Sequence, residues 1–149
     1  MRRILFLFIV VLLISFTASF AQQNSKPAPE PVPAPIPADA IAKVNPVKPT
    51  PEGLESVKKL YGYHCSMCHG KDGDGKGELA EQMKLTLNDW RNPSSISKMT
   101  DGELFYIITN GRGKMTGGEG DRTKEETRWQ LVNYVRAFGN KGADTAPTK

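Results

Sequence analysis

The sequence predicts a small all-α domain between Gly53 and Lys141, and three observations support this prediction. Apolar residues recur at helical spacing in several segments of this region. Thr100 and Thr123 are each followed three residues later by Glu, the pattern of the capping box that begins many helices. No segment alternates apolar and polar residues in the way a half-buried strand does.

The first 21 residues have the order of a secretory signal peptide. Arg2 and Arg3 precede the apolar residues 4–14, and Ser19-Phe20-Ala21 has the small-x-small pattern of a cleavage site. The apolar run is shorter than the roughly 20 residues of a membrane-spanning helix. We expect cleavage after Ala21, although an uncleaved N-terminal anchor stays open. Either way, the remainder is expected to be exported to the periplasm or the outer face of the cytoplasmic membrane.

Residues 22–52 are predicted to be a linker. Nine of the eleven prolines lie between Pro27 and Pro51. Proline lacks a backbone donor and pushes the preceding residue out of the helical region. We therefore expect this Pro/Ala-rich segment to stay outside the core. Residues 142–149 are predicted to be a disordered tail.

Helical spacing of Leu54, Val57, Leu60 and Tyr61 predicts a first helix that runs into Cys65. A glycine-rich turn over residues 70–77 and a short helix over residues 78–83 follow.

Two further helices complete the domain. The capping box at Thr100 predicts a helix that ends at Gly111. The second box, at Thr123, predicts a final helix that stops at Gly139 and has a large apolar face: Trp129, Val132, Val135 and Phe138. A domain of this size buries little surface, so a cofactor or metal is expected to contribute to the core.

The charge balance disfavours a nucleic-acid partner. The chain has 20 basic and 16 acidic residues, and loss of Arg2 and Arg3 with the signal leaves 18 basic residues. Lys and Arg are scattered along the chain instead of forming one basic segment. The two cysteines are too few for a multi-disulfide scaffold.

Cys65-Ser66-Met67-Cys68-His69 has the C-x-x-C-H pattern that attaches c-type haem. Two cysteines three residues apart on a helical turn face the same side, so both sulfurs can reach one edge of a porphyrin. The histidine that follows can then bring a ring nitrogen under the iron. The motif predicts one haem, covalently bound by Cys65 and Cys68, with His69 as the proximal iron ligand.

Two other chemistries use similar residues. A structural zinc ion needs four ligands around it, but the candidates all fall within six residues: His64, Cys65, Cys68 and His69. A dithiol oxidoreductase also has Cys-x-x-Cys, usually in a βαβ context that is lacking here. The oxidoreductase is kept as a remote alternative.

The second iron ligand is predicted to be Met115, which lies in a glycine-flanked loop over residues 110–118. Met83 falls on the predicted short helix, and Met99 precedes a helix start. His64 is adjacent to Cys65 and cannot readily reach the opposite face of a haem.

Residues 53–139 resemble class I cytochrome c of the bacterial exported type with one haem. The resemblance covers nearly the whole predicted domain and is carried by the haem motif and four further stretches: Asp72–Gly77, Asp101–Gly111, Met115 and Arg128–Arg136. It implies a small cytochrome c fold with three to five helices around one covalently bound haem. It also implies that Cys65 and Cys68 bind haem, that His69 is the proximal ligand, and that Met115 is the distal ligand.

The resemblance further implies that the first and last helices cross beside the haem, with Trp129 and Tyr134 in that packing. Two positions depart from the family pattern. Thr116 follows Met115 where proline is usual, and residues 84–90 lack the usual proline near the carbonyl that orients the proximal histidine. The acceptor for the His69 ring is therefore not assigned.

These features predict an exported one-electron carrier of a respiratory or other redox chain. Iron with both axial positions filled has no open position for a substrate, so we do not expect an enzyme. The expected partners are redox proteins, and the chain is expected to be a monomer, held at the membrane only if its N-terminus is uncleaved. A haem-based sensor of small ligands, in which Met115 is not bound, is the main alternative.

Overall fold

The computed structural model describes residues 32–144. The helices are α1 (Ala38–Ile41), α2 (Pro51–His64), α3 (Ser66–His69), α4 (Glu78–Gln82), α5 (Pro93–Ile96), α6 (Asp101–Asn110), α7 (Glu119–Arg122) and α8 (Glu125–Asp144). Two short strands, β1 (Gly111–Arg112) and β2 (Met115–Thr116), lie between α6 and α7. The all-α prediction is confirmed: α2, α6 and α8 are the long helices, and the others have one turn each. The predicted signal peptide and residues 145–149 lie outside the described residues.

Local sequence explains where the long helices begin and end. Thr50 accepts a hydrogen bond from the Gly53 amide at 3.1 Å, and α2 therefore begins at Pro51, a favoured residue type for a first helical position. The predicted capping box of α6 is confirmed, with reciprocal bonds between Thr100 and Glu103. The predicted end of α6 at Gly111 is also confirmed. None of the described helices is both long and apolar enough to cross a membrane.

The final helix differs from its prediction at both ends. It begins at Glu125, because the Thr123 hydroxyl donates to the Glu119 carbonyl at 2.8 Å instead of capping α8. It continues through Gly139 to Asp144. A Cβ at Gly139 would lie 3.3 Å from Ile96, so this glycine serves close packing against α5.

The segment around Met115 is a hairpin and not the irregular loop expected from its glycines. Gly111 pairs with Thr116, and Arg112 pairs with Met115, in an antiparallel register. Gly113 has a φ of +59°, which lets a two-residue turn reverse the chain. Met115 therefore lies on a short β-ladder directly after α6.

The core has two clusters that share α8. One joins α5, α6 and α8 and contains Ile96, Leu104, Phe105, Trp129, Val132 and Val135. The other joins α2 and α8 and contains Val57, Tyr61, Leu131 and Phe138, with Tyr134 packed against it. The expected place of Tyr134 between the first and last helices is confirmed, but Trp129 packs elsewhere and stacks on Phe105 at 4.0 Å. Trp90 and Ile108 contact both clusters.

Part of the predicted linker packs on the domain, so the expectation that all of residues 22–52 stay outside the core is wrong. We call residues 36–47 the N-terminal strap. Ile36 and Ala40 are buried, and the Asn45 amide donates to Asn133 Oδ1 at 2.9 Å. The Asn133 amide in turn donates to the Val47 carbonyl at 2.9 Å. The proline-free residues 38–45 allow this because they form the turn of α1 and supply apolar side chains.

The Gly102→Ala substitution tests the strap. A Cβ at Gly102 would overlap the Ala40 carbonyl oxygen, so the strap must shift. We expect the unfolding free energy of the purified protein to fall by about 1–3 kcal/mol. The control is Gly62→Ala in α2, where a Cβ meets nothing within 4 Å. Denaturant unfolding in which the two variants were equally stable would contradict the observed packing.

Candidate functional site

A cavity of about 230 Å³ lies where the two core clusters meet. His69 at the end of α3 and Met115 on β2 both line it. The remaining walls are mostly apolar and come from the 86–90 segment, the segment between α5 and α6, and the helices α6 and α8: Thr86, Leu87, Asn88, Trp90, Met99, Leu104, Ile107, Ile108 and Val135. The fold thus brings together the two residues that the sequence predicts as axial ligands.

The two cysteines lie at the junction of α2 and α3. Cys65 caps the end of α2, and its amide bonds the Tyr61 carbonyl at 2.9 Å. Cys68 lies on α3, and neither thiol is in a disulfide. The glycine-rich turn wraps this helix, since the Gly77 amide donates to the Cys68 carbonyl at 3.1 Å. The Tyr61 hydroxyl closes the turn from the other side by donating to the Gly70 carbonyl at 2.7 Å.

Burial sets the protonation of the site. Loss of solvent around the imidazole lowers the pKa of His69 to about 4, so the ring is neutral at neutral pH. Its Nδ1 is buried and has no hydrogen-bond partner. Burial raises the pKa of the Cys65 thiol to about 12, with further contributions from Glu119 and Cys68. A neutral imidazole is the form that coordinates a metal.

Trp90 is a site residue that the sequence analysis did not single out. Its ring stacks on His69 with centroids 4.2 Å apart and an angle of 19° between the planes. Its backbone amide donates to the Gly73 carbonyl at 2.8 Å, which ties it to the glycine-rich turn. One feature of the sequence could have indicated its role: Trp90 is the single Phe, Trp or Tyr between residues 64 and 104.

Of the other candidates for the second iron ligand, His64 and Met83 do not line this cavity, whereas Met99 does. His64 Nδ1 lies 2.7 Å from a Glu119 carboxylate oxygen, so its ring already has a partner. Met83 is 47% exposed. Met99 lines the same cavity as Met115 and packs against the first core cluster, a proximity that its place before α6 did not predict.

The comparisons with known proteins agree with this geometry. The family model described as cytochrome c oxidase, cbb3-type, subunit III matches residues 52–135. The chain belongs to this family of c-type cytochrome domains. Haem c is therefore the cofactor of the domain, and electron transfer is the chemistry of its family.

The solved structures that are similar to the cytochrome include the following two. The KustC0563 c-type cytochrome is 28% identical, with 54% of this chain and 94% of that chain covered and a TM-score of 0.47. A chain of the Kuenenia stuttgartiensis reducing HAO-like protein complex Kustc0457/Kustc0458 is 23% identical and has a TM-score of 0.51. That comparison covers 62% of the cytochrome but 46% of the other chain. No curated protein gives a significant match.

The donor set of the cavity fits haem. The buried, unpartnered Nδ1 belongs to a neutral imidazole, Met115 lines the same cavity, and most of the walls are apolar as a porphyrin requires. Within residues 32–144, no three His, Cys, Asp or Glu side chains cluster as a site for a bare metal ion.

Proposed function

We propose that the cytochrome is an exported one-electron carrier with one haem, covalently bound by Cys65 and Cys68. His69 is its proximal ligand and Met115 its distal ligand. The observation that carries the proposal is that the histidine of the C-x-x-C-H motif and Met115 line one cavity, although they are 46 positions apart in the sequence.

The side chains hold the iron ligands in the states that this role requires. Burial keeps the His69 imidazole neutral, so a ring nitrogen has a lone pair for iron. The hairpin register fixes Met115 opposite Arg112 and thereby limits the range of positions that its thioether can reach. When bound, the haem supplies a centre that gains and loses one electron, and an axial methionine raises its potential relative to a second histidine.

Filled axial positions leave no place for a substrate, so the proposal is a carrier and not an enzyme. The cysteines support the same conclusion. Dithiol oxidoreductases depend on a thiolate with a lowered pKa, whereas burial raises the pKa of Cys65 to about 12. A protonated thiol is a poor nucleophile.

The proposed location is the periplasm or the outer face of the cytoplasmic membrane, as residues 1–21 suggest. Partners are redox proteins that meet a monomer in small, short-lived contacts. Residues 53–141 carry 14 basic and 12 acidic side chains, which does not favour a nucleic acid. An uncleaved N-terminus would hold the protein at the membrane.

The absorption spectrum tests the ligand assignment. Met115→Ala should abolish the weak far-red band of methionine-ligated ferric haem and lower the reduction potential, because the iron loses its thioether ligand. Met83→Ala is the matched control and should leave both unchanged, since Met83 is 47% exposed. Met99→Ala should also keep the band. Loss of the band in Met99→Ala but not in Met115→Ala would overturn the assignment.

The mass of the protein made in a haem-competent host tests attachment. We expect the mass of the polypeptide to be increased by that of one haem, and we expect this added mass to remain after the protein is denatured. No added mass would favour the dithiol alternative. A wild-type spectrum without the methionine band, in a protein that binds carbon monoxide or nitric oxide, would favour the sensor.

A further inference from the structure

One polar contact joins the chain segments that carry the proposed iron ligands. His64 ends α2 and directly precedes Cys65, whereas Glu119 begins α7 and follows Met115 by four residues. His64 Nδ1 and Glu119 Oε1 lie 2.7 Å apart. An ionised carboxylate can only accept, so the imidazole donates this bond. We call this pair the His64–Glu119 clamp.

Glu119 is not an ordinary surface acid. The residue is 8% exposed, and its Oε2 is buried without a hydrogen-bond partner. The guanidinium of Arg122 is 3.9 Å from Oε1. A buried carboxylate with an unsatisfied oxygen costs stability, so its bond to His64 is expensive to lose.

The backbone of Glu119 is held by Thr123, which directly follows α7, and by Arg128 on α8. Its carbonyl accepts from the Thr123 hydroxyl at 2.8 Å and from Arg128 Nη1 at 3.3 Å. The same Arg128 nitrogen also donates to the Gly120 carbonyl at 3.1 Å. These bonds hold α7 in place. A displacement of the Glu119 carboxylate is therefore transmitted to residues 115–119, the segment that connects Glu119 to Met115.

The hairpin itself is short. Each strand has two residues, and the Gly118 amide bonds the Thr109 carbonyl at a long 3.4 Å. A short ladder of this kind is marginal without tertiary support. The clamp supplies such support from the helix that ends at the haem motif.

We propose that Glu119 is a positioning residue, which, through His64, holds the Met115 hairpin against the haem-attachment segment and so keeps the thioether in place. This inference rests on the proposed function, because it assumes that Met115 is the distal ligand. Its consequence is that the clamp sets the fraction of molecules in which the Met115 segment has opened. An external ligand binds only that fraction, so its apparent affinity reports the clamp.

The experiment is titration of the haem-loaded, oxidised full chain with imidazole, followed by loss of the far-red methionine band. Glu119→Gln should raise the apparent imidazole affinity about tenfold, the factor expected when a hydrogen bond to a charged group is weakened. Asp121→Asn removes the same charge from an exposed residue two positions away and should leave the affinity unchanged.

Two substitutions of His64 separate the clamp from a general effect on folding. Asn has an amide donor close to the position of Nδ1, so His64→Asn should retain an affinity near that of the wild type. His64→Phe should behave as Glu119→Gln does. The double variant His64→Phe with Glu119→Gln should show about the same increase as either single variant, because both remove one shared contact.

The outcomes separate this inference from the proposed function. Wild-type imidazole affinity in Glu119→Gln, with an intact methionine band, would overturn the clamp alone. The clamp would also be overturned if His64→Asn raised the imidazole affinity as much as His64→Phe does, and if the increase in each variant matched its loss of global unfolding free energy. A wild-type protein that lacks the band would overturn the ligand assignment, and the clamp with it.

Discussion

A chain with Cys65→Ala and Cys68→Ala, made in a haem-competent host, should be largely unfolded. If Cys65 and Cys68 bind the haem as proposed, this variant cannot attach it covalently, and the domain is too small to have stability in reserve. We expect most of its helical circular-dichroism signal and its dispersed amide NMR resonances to be lost. This is the largest effect expected of any change considered for the protein.

The physical reason lies where the two core clusters meet. Trp90 and Ile108 are partly buried against both clusters, and both line the cavity. Without haem these side chains face a poorly filled space, and His69 keeps a buried nitrogen without a partner. Both defects cost free energy that a marginal domain lacks.

The haem-free double variant has to be compared with a variant that keeps the haem. Met115→Ala retains both cysteines and His69, so it should stay folded while its spectrum changes. A cooperative thermal transition in the haem-free double variant, close to the wild-type temperature, would show that the polypeptide alone maintains the core. That result would contradict the structural role given to the cofactor.

Trp129→Ala should cause the largest loss of stability among substitutions that leave the haem-binding residues intact. Trp129 is 3% exposed and stacks on Phe105 at 4.0 Å, which joins α8 to α6. Truncation of a buried tryptophan to alanine costs about 3–5 kcal/mol through lost burial and the cavity that remains. Denaturant unfolding of the haem-loaded protein measures this cost.

An exposed aromatic residue gives the matched control. Tyr63 lies on α2 and is 66% exposed, so Tyr63→Ala should change the unfolding free energy by no more than about 0.5 kcal/mol. A similar change in both variants would mean that the α6–α8 contact does not depend on Trp129.

Local sequence signals predicted the long helices because their causes are local. The capping box at Thr100 and the termination at Gly111 each depend on residues within one or two turns. Thr123 failed as a cap because its hydroxyl found another acceptor, the Glu119 carbonyl. The strap was missed because its burial depends on Asn133, which lies 88 residues from Asn45 in the sequence.

The same distinction between local and long-range causes applies to the residues of the candidate site. The C-x-x-C-H spacing named His69 directly, and elimination among the methionines named Met115; both line the cavity. The stacking of Trp90 on His69 and the bond between His64 and Glu119 join residues far apart in the chain. No spacing rule in one sequence encodes such pairs, because each depends on how α2, the 86–90 segment and α7 come together.

The strap also decides where this domain could be cut and joined to another protein. A fragment that starts at Gly53, the boundary suggested by helical spacing, would lack Ile36 and Ala40 and the two bonds that the Asn45 amide donates to α8. It would also lose Lys43, whose ammonium lies 5.9 Å from the centre of the Phe105 ring. A fusion that is meant to carry a stable cytochrome should therefore join the chain before Ile36.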